Sequence, residues 1–469
     1  MPRRRAPRKR RSAARSRRVA RVAPLALALL ALLATGAQAA EPGFNTPGAE
    51  ANRAVQAQQL GTHWVRMFMP WNVIEPQRGV YAANWLAGYE QGFRAYPAGT
   101  KFLIDVVDTP QWANGSTDQY VPPTNPQDYA AMLASVAARF GSRVAAYEIW
   151  NEEDEPRWWV GAPDPGGYVQ LLKAAYPAVK AAEPKAMVLL GGLTGNDYPF
   201  LEGVYAAGGK GYFDAVGVHT DTSCDILSPY EYLRGTDNRM IPDSFLAYRE
   251  VHAVMVANGD DKPIWMTELS WRTTSAVCSE GMWAGQKPEG VSEDTQATFL
   301  RQAYHCLEQD RYVQVALWFP LADEHGTTSG LIRANGTHKP SFEAMRDYAH
   351  KGDSLHEPCG VFTGPAIDVS SPSNHFAYSG PLPIAVSAHS KVGVFRIRLE
   401  LDGKLIRNYD GKTYPRALSG RIDYQHAKHI SYGRHTLTVL AYDRLRNVTR
   451  RSITVIHLKP RHKHKHRHR

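Results

Sequence analysis

A (β/α)8 barrel of the α/β class followed by a small all-β domain is the architecture this 469-residue chain predicts, and three observations carry it. Short apolar runs alternate with amphipathic stretches from residue 43 to about residue 350, and eight such runs occur. Beyond residue 358 the helical spacing gives way to alternation of apolar and polar residues. The chain is also too long for one ordinary core, so more than one folded unit is expected.

The eight strand-like runs lie near 43–45, 64–68, 101–107, 145–150, 187–191, 215–219, 263–267 and 313–319. Helical patterns separate them, for example at 49–60, 128–140, 168–182, 242–257 and 293–309, several opened by Asn, Asp, Pro or Ser. Strands alternating with helices build a parallel sheet, and eight units close it into a TIM barrel. An open doubly wound sheet is the rival, but it usually carries a glycine-rich phosphate loop after its first strand. Asn45-Thr46-Pro47-Gly48 is not such a loop. The runs 382–388, 393–402 and 435–442, set between turn-rich breaks, predict an immunoglobulin-like or fibronectin-like sandwich. The expected organisation is a leader over 1–39, the barrel over 40–357, the sandwich over 358–458 and a tail over 459–469.

Charge distribution decides between classes of partner. The formal charge is +10, yet residues 1–39 hold 11 Lys or Arg and residues 459–469 hold 6, with no acid in either. The remainder has 38 basic and 45 acidic residues, so the folded part is mildly acidic and nucleic acid is not its expected ligand. An Arg-rich stretch, an apolar run over 23–34 and Ala37-Gln38-Ala39 together form a signal-peptide pattern, predicting a secreted, extracellular protein. Ser16-Arg17-Arg18-Val19 resembles a twin-arginine signal, and both export routes stay open. The apolar run falls short of the ~20 residues of a membrane span. The His-rich basic tail is expected to be a solvated segment, with contact to an anionic cell surface as the sharper alternative. Four cysteines, Cys224, Cys278, Cys306 and Cys359, favour two disulfides in an oxidising compartment, with Cys224–Cys278 and Cys306–Cys359 preferred among the three connectivities. No Cys or His spacing indicates a metal site, and no cofactor is implied.

The chemistry is expected where strands four and seven end. Ala145 to Glu152 and Pro263 to Glu268 are apolar runs that each finish in a glutamate. In such barrels functional groups gather at the C-terminal ends of the strands. Glu152 and Glu268 therefore project onto one face, which also receives Arg66, Trp112, His219 and Trp318. A pair of carboxyl groups is what glycosidic cleavage needs: one protonates the departing oxygen and one attacks the sugar carbon.

Segments of the chain resemble clan A of the glycoside hydrolases, especially its retaining family 39 and family 5 members. These are Trp64-Val65-Arg66 with Trp71 and Ile74-Glu75-Pro76, Thr109-Pro110-Gln111-Trp112, Tyr147-Glu148-Ile149-Trp150-Asn151-Glu152, Val216-Gly217-Val218-His219, and Ile264-Trp265-Met266-Thr267-Glu268. The resemblance implies that Glu152 is the general acid/base and Glu268 the nucleophile. The charge on Glu268 is expected to raise the pKa of Glu152. Asn151 is a candidate for the sugar 2-hydroxyl, Arg66 for keeping Glu268 ionised, and His219 for a hydroxyl or a carboxylate. Trp318, Trp112 and Trp71 are candidate sugar platforms, and Trp158, Trp159, Trp271 and Trp283 candidate borders of the cleft. One departure stands out: where relatives often carry His-x-Tyr, this chain reads His219-Thr220-Asp221.

The reading is thus a secreted, monomeric retaining glycosidase acting on a β-linked oligosaccharide or polysaccharide. Two alternatives share the barrel. A carbohydrate-binding or adhesion protein with impaired chemistry is motivated by Asp221 and the tail, and a transglycosylase would resolve the same intermediate with a sugar.

Overall fold

The computed structural model describes residues 40–460 apart from 49, 223, 225–227, 280–283, 325, 361–362, 414 and 426–429, and apart from the side chains of 221 and 222. The leader, most of the basic tail, Trp283 and the Asp221 side chain lie outside the described residues.

Eight parallel strands close a barrel in sequence order: β1 (Glu41–Thr46), β2 (Trp64–Pro70), β3 (Lys101–Val107), β4 (Val144–Asn151), β5 (Met187–Leu193), β6 (Ala215–Thr222), β7 (Ile264–Trp271) and β8 (Val313–Trp318). Each coincides with one of the apolar runs read from the sequence. Ten helices are described: α1 (Arg53–Leu60), α2 (Trp71–Ile74), α3 (Ala83–Ala95), α4 (Gln111–Asn114), α5 (Pro126–Phe140), α6 (Pro165–Ala182), α7 (Tyr198–Ala206), α8 (Tyr248–Ala257), α9 (Glu293–Gln309) and α10 (Pro340–Lys351). Local chemistry explains their starts. Asn125, Asp164, Asp197 and Ser292 each accept a backbone N–H of the first turn, and Pro126 and Pro165 occupy first positions where no N–H is needed.

Eight further strands follow: β9 (Ala366–Ser371), β10 (Phe376–Tyr378), β11 (Leu382–His389), β12 (Val394–Leu401), β13 (Lys404–Asp410), β14 (Ala417–Tyr424), β15 (Gly433–Asp443) and β16 (Val448–His457). They form a five-stranded sheet in the order β10-β16-β15-β12-β13 and a three-stranded sheet in the order β14-β11-β9. Alternate residues of β11 (Leu382, Ile384, Val386, Ala388) share an apolar core with Ile397, Leu399, Leu437 and Val439, as a period of two requires. The β15–β16 turn docks on the barrel. Leu445 is buried in the barrel core, Tyr232 donates to Asn447 Oδ1 at 2.6 Å, and Arg444 pairs with Glu231. Tyr230, Glu231 and Tyr232 belong to the loop that follows β6, so the sandwich reaches a loop at the C-terminal end of the barrel strands.

Both preferred disulfides are present. Cys224–Cys278 joins the loops after β6 and β7, and Cys306–Cys359 ties α9 to the segment leaving the barrel. No helix among the described residues is long and apolar enough to cross a membrane.

Candidate active site

Arg66 organises the site. It lies on β2 with its side chain wholly buried, and its guanidinium reaches five acceptors. Nη1 donates to Glu268 at 2.6 Å and to Asn45 at 3.0 Å, Nη2 to Asp105 at 2.7 Å and Asn151 at 2.9 Å, and Nε to Glu148 at 2.6 Å. Burial alone would lower the pKa of this guanidinium, but the three carboxylates outweigh it and hold the arginine charged. Three carboxyl groups on one cation cannot all ionise without leaving uncompensated charge in the interior. Burial pushes the Asp105 carboxyl well up against the pull of Arg66, with Glu148 and Glu268 adding to the rise. Glu148 is held from the other side by the Thr267 hydroxyl at 2.8 Å.

The end of β4 delivers the second carboxyl group through an unusual backbone. Trp150 and Glu152 both have positive φ, 71° and 51°, a conformation that costs an aromatic or long side chain of order 1–3 kcal/mol. Packing holds it in place, since the Trp150 indole N–H donates to Trp158 O at 2.8 Å and the ring meets Trp159 edge-on at 5.5 Å. Glu152 then bonds His219 Nδ1 through Oε1 at 2.8 Å, and His219 Nε2 stands 3.8 Å from Glu268 Oε1. One ligand-type atom each from Glu152, His219 and Glu268 lie within 4.8 Å of one another. A divalent ion could be gripped at that spacing, but Arg66 already supplies a cation 2.6 Å from Glu268.

Two glycines make the room. On β5, a Cβ at Gly192 would fall 1.8 Å from His219 Nε2, and one at Gly191 would fall 2.2 Å from the buried Glu153 carboxyl. A side chain at Gly192 would therefore displace the histidine that links the two glutamates.

Burial is the main reason the Glu152 carboxyl is pushed up to about 7. Glu155 adds to the rise, while Arg66 and Arg157 oppose it. The sequence-based expectation that Glu268 raises it is corrected here: desolvation dominates. Burial lowers the pKa of His219, so its imidazole is neutral at pH 7.

A cavity of about 360 Å³ opens over this group, with Asn151, Glu152 and Glu268 on its floor. Its aromatic walls are Phe68, Tyr120, Trp150, Trp158 and Phe319, and its other polar groups are Asp108 and Arg157. Burial pushes the Asp108 carboxyl up to about 6.

Of the residues singled out in the sequence, Arg66, Asn151, Glu152, His219 and Glu268 converge. Three tryptophans do not reach the cavity and are corrected. Trp71 is buried, donating to Glu75 Oε2 at 2.7 Å, and Trp318 is buried, donating to Ser329 O at 2.8 Å. Trp112 is half-buried, its N–H held by Glu75 O at 2.9 Å and its ring covered by Arg78 at 4.5 Å. Each indole is anchored by a carboxylate or carbonyl of a neighbouring loop, and none of the three is among the residues lining the cavity. Trp159 and Trp271 are likewise buried, whereas Trp158 lines the cavity. Phe319 was one residue from the expected platform, and Phe68 lies two residues beyond Arg66. The two-residue period of β2 is the signal that could have found Phe68.

The family model described as Cellulase (glycosyl hydrolase family 5) matches residues 33–240, a span holding Arg66, Asn151, Glu152 and His219. Over that span the barrel is similar to clan A glycoside hydrolases. The chain is also similar in fold to solved glycoside hydrolases. A family 39 glycoside hydrolase from the gut symbiont Bacteroides cellulosilyticus WH2 matches with a TM-score of 0.52 at 18% identity, over 83% of this chain and 80% of that one. A family 39 enzyme from Xanthomonas axonopodis pv. citri gives 0.51 at 15% identity, over 89% and 92%. A monomeric β-xylosidase from Caulobacter crescentus CB15 gives 0.50 at 15% identity, over 78% and 83%. At these identities the likeness establishes the shared fold and leaves the substrate open. No curated protein matches the chain by sequence.

Proposed function

We propose that this glycosidase is an exported retaining enzyme that cleaves β-linked oligosaccharides or polysaccharides, with Glu268 as nucleophile and Glu152 as general acid/base. The spacing of the two carboxyl groups carries the reading. Oxygens within 4.8 Å of one another suit the ~5–5.5 Å separation of retaining enzymes and leave no room for the water that an inverting enzyme places between them.

In the first step Glu152 gives its proton to the glycosidic oxygen while the Glu268 carboxylate attacks the anomeric carbon, and the leaving alcohol departs. Arg66 keeps Glu268 ionised and aimed. In the second step the Glu152 carboxylate takes a proton from water, whose oxygen displaces Glu268 from the sugar. The neutral His219 suits both states: with its proton on Nδ1 it donates to Glu152 Oε1, which leaves Oε2 to carry the proton that passes to the glycosidic oxygen and later to take one from water. Arg66 donates to Asn151 Oδ1, which turns the amide N–H group of Asn151 toward the cavity, where it can donate to a sugar hydroxyl. Phe319 and Trp158 offer the apolar surfaces once assigned to Trp318.

The leader over 1–39 and the two disulfides support export, in a monomer whose barrel spans 40–357 and whose sandwich spans 358–458. The tail over 459–469 is left to meet an anionic surface. The test is a screen of aryl β-xylosides, β-glucosides, β-mannosides and β-galactosides with the corresponding polymers. Azide should restore turnover of an activated aryl glycoside to Glu152→Ala. Failure of both arms would favour a sugar-binding protein.

A further inference from the structure

A second depression of about 520 Å³ lies beside the mouth of the barrel, lined by Pro47, Glu50, Pro70, Trp85, Gly88 and Tyr89. Its position follows from the strands. Pro47 directly follows β1 and Pro70 ends β2, so the groove sits on the face where the catalytic carboxyl groups emerge. It also adjoins the catalytic cavity: Phe68, which lines that cavity, is two residues before Pro70, and the Tyr89 hydroxyl donates to Phe68 O at 2.5 Å. Along an extended strand those two residues are about 7 Å apart, comparable with the length of a sugar ring.

Trp85 differs from most of the described tryptophans. It is 51% exposed, whereas Trp64, Trp71, Trp150, Trp159, Trp265, Trp271 and Trp318 are buried. Gly88, one turn along α3, is costly within a helix and is not required for packing, because a Cβ there would meet nothing within 4 Å. Its bare backbone leaves open floor beside the indole. The charges in the groove are already compensated, since Glu50 accepts from Arg53 at 3.0 Å, and the exposed Asn84 supplies a neutral donor and acceptor. An exposed aromatic face with neutral polar groups beside it suits a ring whose C–H bonds meet the π-cloud and whose hydroxyls meet an amide.

We propose that the Trp85 groove is a remote subsite that binds an uncharged pyranose unit of the same chain whose bond is cleaved between Glu152 and Glu268. It rests on the glycosidase reading and extends it, since it makes a polymer rather than a disaccharide the substrate. The test measures equilibrium binding of xylo-, cello- and manno-oligosaccharides of two to six units to the full chain carrying Glu268→Gln. The ratio of six-unit to two-unit affinity is compared with that after adding Trp85→Ala or Gly88→Leu, the second of which fills the groove while keeping the indole. Each variant should lower that ratio by about tenfold, equivalent to ~1.4 kcal/mol. An unchanged ratio in both folded variants overturns the subsite even if the wild-type enzyme hydrolyses glycosides. A Trp85-dependent ratio in a protein that hydrolyses none of them upholds the subsite and overturns the hydrolase reading instead.

Discussion

The two ends of the barrel are built by the same strands and differ only in what successive inward residues bury. At the N-terminal end Trp64, Leu103, Ala146, Leu189, Ala215, Trp265, Val315 and Leu317 form an apolar plug, with Trp64 and Trp265 meeting edge-on at 4.7 Å. Two residues further along, the same strands present Arg66, Asp105, Glu148 and Thr267, buried just as deeply. The plug is held by packing and burial of apolar area, which needs no partner. The charged layer is held by mutual compensation, so each of its members depends on the others.

Four substitutions probe that contrast, ordered from the largest loss of turnover to the smallest. Glu268→Gln should lower kcat/KM on the order of 10⁴-fold or more, with the circular dichroism spectrum unchanged. Arg66→Met strands buried carboxylates and should cost about 3–5 kcal/mol in urea unfolding as well as turnover. Asp105→Asn should cost far less than either, because burial already pushes the Asp105 carboxyl up toward its uncharged form; a loss equal to that of Arg66→Met would refute this reading. Trp265→Ala in the plug should also cost about 3–5 kcal/mol, yet leave kcat/KM within about twofold, which separates stability from chemistry. A plug variant that lost turnover while remaining folded would break the contrast.

The pH profile sharpens it further. Glu152 must carry its proton for the first step and its carboxyl is pushed up to about 7, so kcat/KM should fall as pH rises through about 7. An aryl glycoside whose leaving group departs without a proton should largely lose this limb. At the docked turn Asn447→Ala removes the Tyr232 and Asp443 side-chain bonds and should cost about 1–3 kcal/mol in thermal unfolding with turnover unchanged.

The strand order and the two glutamates were legible because they depend on local periodicity and on motifs contiguous in the chain. Both disulfide pairings were legible for a related reason, since four cysteines allow few combinations. The tryptophans were not. Whether Trp71 or Trp318 faces a sugar or a neighbouring loop depends on acceptors such as Glu75 and Ser329, whose positions only the fold sets. The role of Gly192 was equally hidden, because it is defined by His219 on the neighbouring strand. The source of the Glu152 shift was misjudged as well: charge pairs can be guessed from a motif, but desolvation is a property of the finished pocket.

The most direct test is to incubate the enzyme with a 2-deoxy-2-fluoro β-glycoside bearing an activated leaving group and to locate the trapped sugar by peptide mass spectrometry. The adduct should reside on the peptide containing Glu268 and be absent from Glu268→Gln. A sugar found on another carboxylate, or a first product of inverted anomeric configuration from an unmodified β-glycoside, would contradict the assignment of Glu268 as nucleophile.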